Sequence, residues 1–161
     1  MLKIYKILDR LELTIKVIMV GALAVMIFSA SMQVLGRYIL VVPLPWTEEL
    51  ARRMMTWLLF SASAIGYRAG GMIGIDLIPN LLPEKIKKVV NVFVYCLVAC
   101  FGIFMMWQGY QLASRMNTQF STALGMPMTY VYMIIPLSGF LFFIFSIELI
   151  VKRLTGYKKE E

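Results

Sequence analysis

Residues 17–35 read VIMVGALAVMIFSASMQVL, nineteen positions without a charged side chain, and this run decides what kind of protein the chain makes. A helix rises about 1.5 Å per residue and needs about 20 apolar residues to cross a hydrocarbon layer about 30 Å thick, so the run is long enough for one crossing. Working outward, similar runs cover Val89–Tyr110 and Tyr130–Val151, and a shorter one covers Met54–Tyr67. Spans are therefore expected at about 15–37, 47–68, 87–110 and 129–151, with a short interfacial segment at about 75–83. The expected fold class is an all-α membrane protein: one four-helix membrane domain over residues 1–161.

Composition agrees. Apolar residues make up 60% of the 161 positions and charged residues 16%, a balance that suits lipid rather than water as the solvent. The formal charge of +7 does not read as a nucleic-acid footprint, because the basic residues flank the apolar runs instead of gathering on a polar domain. Their distribution sets the expected orientation. Four lie before residue 17, four between Arg68 and Lys88, and four after Val151, against Arg37, Arg52, Arg53 and Arg115 on the other side. Basic loops resist translocation, so both termini are expected in the cytoplasm of a bacterial inner membrane.

Local signals place the helix ends. Leu2, Ile4, Tyr5, Leu8, Leu11 and Leu13 recur at helical spacing and offer a stretch for the membrane surface ahead of the first crossing. The basic start and long apolar run read as a retained helix and not a cleaved signal peptide. Pro43-Leu44-Pro45 breaks the chain, and Thr47 is expected to cap a second helix whose first turn holds Glu48 and Glu49. Glycines 70, 71 and 74 end it, Pro83 and Glu84 open a third helix, and Pro136 is expected to bend the fourth.

Chemistry is sparse. There is no histidine, which removes bis-imidazole haem, His-based zinc and His proton relays, and with them a haem-bearing redox anchor. Phosphate loops, catalytic triads and metal constellations cannot be assembled, so no enzyme and no cofactor are expected in this chain. Cys96 and Cys100 read as small core residues of the third helix. Trp46, Trp57, Trp107, Tyr110, Tyr130 and Tyr132 fall largely near span ends, as an interfacial belt requires, and thirteen scattered methionines read as packing.

The polar residues worth singling out lie around the second helix. Glu48 with Arg52, and Glu49 with Arg53, are acid-first i,i+4 pairs. One reading is a charged helix end snorkelling to the headgroups; the other is a set of ion pairs locking this helix to another helix or to a separate subunit. Ser29, Gln33 and Arg37 form a polar edge on the first helix. Ala62, Gly66 and Gly70 form a small-residue strip for close helix packing. Glu148 reads as self-paired with Lys152, and Asp76 as a turn cap.

With Q-x-x-x-R at Gln33 and Arg37, P-W-T-E-E-L-A-R from Pro45 to Arg52, Tyr67-Arg68 followed by glycines and Ile75-Asp76, and L-G-M-P from Leu124 to Pro127 ahead of Tyr132 and Pro136, the chain resembles the DctQ-like small membrane subunits of tripartite ATP-independent periplasmic (TRAP) transporters. Met72 stands where that family commonly has histidine. The resemblance implies a large DctM-like partner subunit holding the Na⁺ and substrate sites, and a periplasmic substrate-binding protein. It also implies a carboxylate cargo such as sialic acid or a C4-dicarboxylate. Gln33, Arg37, Trp46, Glu48, Glu49, Arg52 and Arg53 become candidates for the subunit interface, and Ala62, Gly66 and Gly70 for helix packing. The competing reading is an autonomous small carrier or channel that builds a pore by oligomerising. The almost wholly apolar span midplanes speak against it.

Overall fold

The computed structural model describes residues 2–39, 41–70 and 84–155. Helix α1 is Leu2–Tyr38, α2 Pro45–Arg68, α3 Glu84–Arg115, α4 Thr129–Tyr132 and α5 Ile134–Thr155, with a 3₁₀ turn at Met116–Thr118. Among the described residues there is no strand, only an isolated antiparallel bridge between Phe120 and Pro127. Among the described residues, three stretches are long and apolar enough to cross a membrane: Tyr5–Tyr38, Val89–Thr118 and Thr129–Arg153. The interfacial segment expected at about 75–83, with Asp76, and Met72 before it, lie outside the described residues.

Several boundaries differ from expectation for identifiable reasons. Helix α1 begins at Leu2, well ahead of the span expected from about residue 15, so the stretch offered to the membrane surface is its continuous first part. No proline or glycine occurs before Gly21, and the Thr14 hydroxyl donates to the Arg10 carbonyl at 2.9 Å without breaking the helix. Thr47 is not the cap of α2. The helix starts two residues earlier at Pro45, whose fixed φ and missing N–H suit a first helical position, and buried Thr47 donates its hydroxyl to the Leu44 carbonyl at 2.6 Å. Between α1 and α2, Val41 holds a φ of 53°, an unusual left-handed setting for a β-branched residue. Gly36 packs tightly beside this turn, where a Cβ would come within 2.7 Å of the Leu44 side chain and 3.2 Å of the Val42 carbonyl oxygen. The fourth helix is divided at Met133, between α4 and α5. Pro136 has no N–H for the Tyr132 carbonyl and its ring crowds that carbonyl, so the interruption falls one turn before the proline.

The chain forms two compact units, Met1–Ala62 with Ala113–Ile134, and Ser63–Leu112 with Ile135–Glu161. The first contains α1, the charged part of α2 and the connection from α3 to α4. A small hairpin dominates that connection. The Ser121 N–H donates to the Met126 carbonyl at 2.9 Å and the Met128 N–H to the Gln119 carbonyl at 2.9 Å, while Gly125 supplies the turn with a φ of +63°.

The second unit packs the end of α2 against α5, and α3 against α5. Tyr67 meets Phe142 at 5.7 Å between ring centroids and Tyr95 edge-on at 6.4 Å, beside fully buried Phe145. A glycine seam lets α3 and α5 touch by backbone. A Cβ at Gly102 would lie 2.7 Å from the Gly139 carbonyl oxygen, and one at Gly139 equally close to that of Gly102. Gly109 is as tight against Ile135 and Pro136. Close approach of this kind is how membrane helices gain packing where no hydrophobic effect separates protein from lipid.

The strip read from sequence lies elsewhere. Ala62 is exposed, a Cβ at Gly66 or Gly70 would meet nothing within 4 Å, and Gly70 ends α2 with a φ of +74°. Cys96 and Cys100 are also exposed, a correction to their reading as core residues. An apolar face turned to lipid needs no cover from the same chain. Replacing Gly139 by valine should destabilise the purified protein by roughly 1–3 kcal/mol. Gly66→Ala should stay within roughly 0.5 kcal/mol of wild type. Thermal unfolding in detergent measures both, and equal shifts would contradict the seam.

Candidate functional site

The two acid-first pairs of α2 have different surroundings. Arg52 and Glu48 join at 2.7 Å with side chains 76% and 57% exposed. Arg53 and Glu49 also join, with side chains only 9% and 16% exposed. What covers them is the hairpin. The Ser121 hydroxyl donates to Glu49 Oε1, the Ala123 N–H donates to Oε2 at 3.0 Å, and the Leu124 N–H donates back to Ser121 Oγ at 3.1 Å. Arg53 also reaches Met128 Sδ at 3.8 Å. Glu49 is thus an internal brace that fixes the hairpin on α2, whereas Glu48 and Arg52 face outward. Both pairs border a cleft of about 510 Å³ with Thr122 and Tyr132 on its other side.

Beside it, Gln33, Arg37 and Glu48 line a second cavity of about 470 Å³ against the turn of Val41 to Pro45. Gln33 is half-buried and Arg37 exposed, with its guanidinium 5.9 Å from the Tyr38 ring centroid. Trp46 is exposed at the start of α2. The structure therefore brings Gln33, Arg37 and Glu48 to one cavity, and Glu48, Glu49, Arg52 and Arg53 to its neighbour. Ser29, one turn before Gln33, is fully buried with its hydroxyl unpartnered among the described residues.

The second unit holds a polar cluster that local reading missed. Arg68 donates from Nε and Nη2 to the two oxygens of Glu148, at 2.7 and 2.8 Å, with side chains 5% and 1% exposed. Lys152 joins the same carboxylate at 2.7 Å. The Arg68 guanidinium also sits 5.3 Å from the Phe145 ring centroid, and two residues before Glu148 on α5 the Ser146 hydroxyl shares a hydrogen bond of 3.0 Å with the Tyr67 hydroxyl of α2. The i,i+4 spacing revealed Lys152 but not the bidentate partner eighty positions away. The only sequence signal was an arginine at the end of an apolar helix, with a lone acid at the end of another.

Comparison with known proteins follows the same residues. The family model described as "Tripartite ATP-independent periplasmic transporters, DctQ component" matches residues 26–156. The chain is 36% identical over 87 residues to the sialic acid TRAP transporter permease protein SiaT of Haemophilus influenzae (strain 86-028NP), covering 53% of this chain and 14% of that one. It is 28% identical over 131 residues to the isethionate TRAP transporter permease protein DctMQ of Oleidesulfovibrio alaskensis, covering 76% of this chain and 21% of that one. It is 33% identical over 57 residues to the C4-dicarboxylate TRAP transporter small permease protein DctQ of Pseudomonas aeruginosa, covering 35% and 26%. The matched stretches are thus a quarter or less of the relatives' own length, to within a percentage point.

Removing one member of a buried ion pair strands the other charge, at a cost of about 3–5 kcal/mol. Glu148→Gln, which takes the carboxylate away from both Arg68 and Lys152, should accordingly lower the stability of the purified chain by about that much. Arg52→Gln should cost roughly 1 kcal/mol or less, because its pair is exposed. Denaturation in matched detergent compares them, and similar losses would remove the distinction. Glu49→Gln should accelerate hydrogen exchange at the Ala123 amide relative to the α5 amides; unchanged protection there would mean that the hairpin does not depend on the carboxylate.

Proposed function

The chain belongs to the DctQ component family of the tripartite ATP-independent periplasmic transporters, and from that membership we propose that it scaffolds a larger DctM-type membrane subunit in Na⁺-coupled, binding-protein-dependent uptake of an organic anion. The observation that carries the partnership is the relative named DctMQ. It matches 76% of this chain, yet the match is only 21% of the relative, so there the DctQ-like region is one part of a much longer permease.

The chemistry of the chain supports a scaffold role. Ion-coupled carriers place ungated polar groups or broken helices at the bilayer midplane. Here Glu48, Glu49 and Glu148 are already tied to Arg52, Arg53 and the Arg68–Lys152 pair, and Glu12 to Lys16. The exposed Glu48–Arg52 pair, with Trp46 nearby, is the part of α2 left over for a partner or the delivering binding protein.

In this reading α2 is a fourth crossing, its charged first turns completing a short apolar stretch, and both termini lie in the cytoplasm, as twelve basic residues against four suggest. The cargo is an anionic organic solute such as sialic acid or a C4-dicarboxylate; the relatives are named for these and for isethionate. Sodium belongs to the large subunit, and this chain needs no cofactor.

A tagged copy co-expressed with its large subunit should retain that subunit through purification. In liposomes, solute should accumulate along an inward Na⁺ gradient only when both membrane subunits and the binding protein are present. Uptake by the large subunit and binding protein at full rate without this chain would refute the scaffold reading, and uptake by this chain alone would favour an oligomeric carrier.

A further inference from the structure

Two faces of the chain carry large exposed apolar surface, and they differ in chemistry. The exposed residues of α3 include Phe93, Leu97, Phe101 and Phe104, which acyl chains satisfy completely. In α1 the most apolar 18 residues are only 6% buried, but this helix also carries Gln33 and Arg37 one turn apart on one face. Neither side chain forms a hydrogen bond or ion pair among the described residues. Lipid tails offer no partner to an amide or a guanidinium, and polar groups at the edge of a span persist where protein supplies one.

The missing partner for Arg37 has a defined charge. Glu48 lines the same cavity, yet it is joined to Arg52 at 2.7 Å, and Glu49 is consumed by Arg53 and the hairpin. Glu49 is therefore spoken for, and no ion pair joins Arg37 to a described carboxylate, although Glu48, exposed in its pair with Arg52, lines the same cavity of about 470 Å³. The turn that walls it includes Val41, 81% exposed and held in the left-handed region, where a side chain of this shape is costly unless its placement serves a contact.

We infer that the Gln33–Arg37 face of α1, with the adjoining turn at Val41, docks a membrane helix of the large subunit that carries a carboxylate opposite Arg37. This rests on the scaffold reading above, since it names the surface through which that scaffold is held. Gln33 hydrogen-bonds the same helix one turn deeper, which fixes its rotation as well as its level. The α3 face is left to lipid.

The test places a photo-crosslinking benzoylphenylalanine at position 33 or 41, and as controls at 101 or 104, in the full chain co-expressed with its large subunit. Crosslinks to the large subunit are expected from 33 and 41 and not from 101 and 104. In parallel, Arg37→Glu should reduce co-purified large subunit by about tenfold or more, as like charges across an interface do. Arg37→Lys should retain most of it, and Arg115→Glu, a charge reversal at the end of α3, should leave it unchanged. Thermal unfolding of the isolated variants separates lost docking from lost folding. If the complex purifies but crosslinks arise only from 101 and 104, or only to lipid, or if Arg37→Glu retains the partner fully, the docking surface is wrong while the scaffold reading stands. If the wild-type chain retains no large subunit at all, the scaffold reading itself fails.

Discussion

Inside a hydrocarbon layer nothing outside the protein will accept or donate a hydrogen bond, and this one constraint organises the chain. Backbone groups meet it by helix formation, which is why long uninterrupted helices account for most of the described residues. Side chains meet it by pairing. Arg68 is tolerable near the end of α2 because Glu148 takes both of its forward-facing donors, and Glu148 is tolerable at 1% exposure because Arg68 and Lys152 converge on it. Desolvating such charges is expensive, so the cluster specifies which parts of α2 and α5 meet more than it adds stability over an apolar contact.

The same constraint explains why two neighbouring pairs with identical spacing have opposite roles. Glu48–Arg52 and Glu49–Arg53 differ by 100° around the helix, the rotation of one residue. That rotation turns Glu49 toward the hairpin and Glu48 away from it. Ser121, the Ala123 amide and Arg53 together engage both oxygens of the Glu49 carboxylate, whose side chain is only 16% exposed, leaving little of it for another subunit. Of the four charged residues singled out on α2, an intermolecular contact is therefore chemically open to Glu48 and Arg52.

What the sequence made legible follows from the range of each signal. Helix α2 was expected at about 47–68 and runs from Pro45 to Arg68, because its start and stop are written in adjacent residues, a proline and a left-handed glycine. The interruption ahead of Pro136 and the pairs at four-residue spacing are local in the same sense. The Arg68–Glu148 bond, the capture of Glu49 by Ser121 and the Gly102–Gly139 contact join residues tens of positions apart. No periodicity announces them. Ala62, Gly66 and Gly70 show the limit plainly: a small-residue repeat says that close approach is possible, not that a helix of the same chain makes it.

The exposure of Cys96 and Cys100 carries the point further. In a water-soluble protein an apolar helix face predicts its own burial, so apolar residues on α3 would be assigned to a core. In a membrane protein the rule loses its force, since lipid is as apolar as leucine and covers such a face without help. Burial is then decided by shape and polarity, through glycines that admit backbone contact and polar groups that lipid cannot satisfy. By that criterion the informative surfaces are those where polarity is left unanswered among the described residues, and Gln33 with Arg37 on α1 is such a surface, whereas the aromatic face of α3 is not.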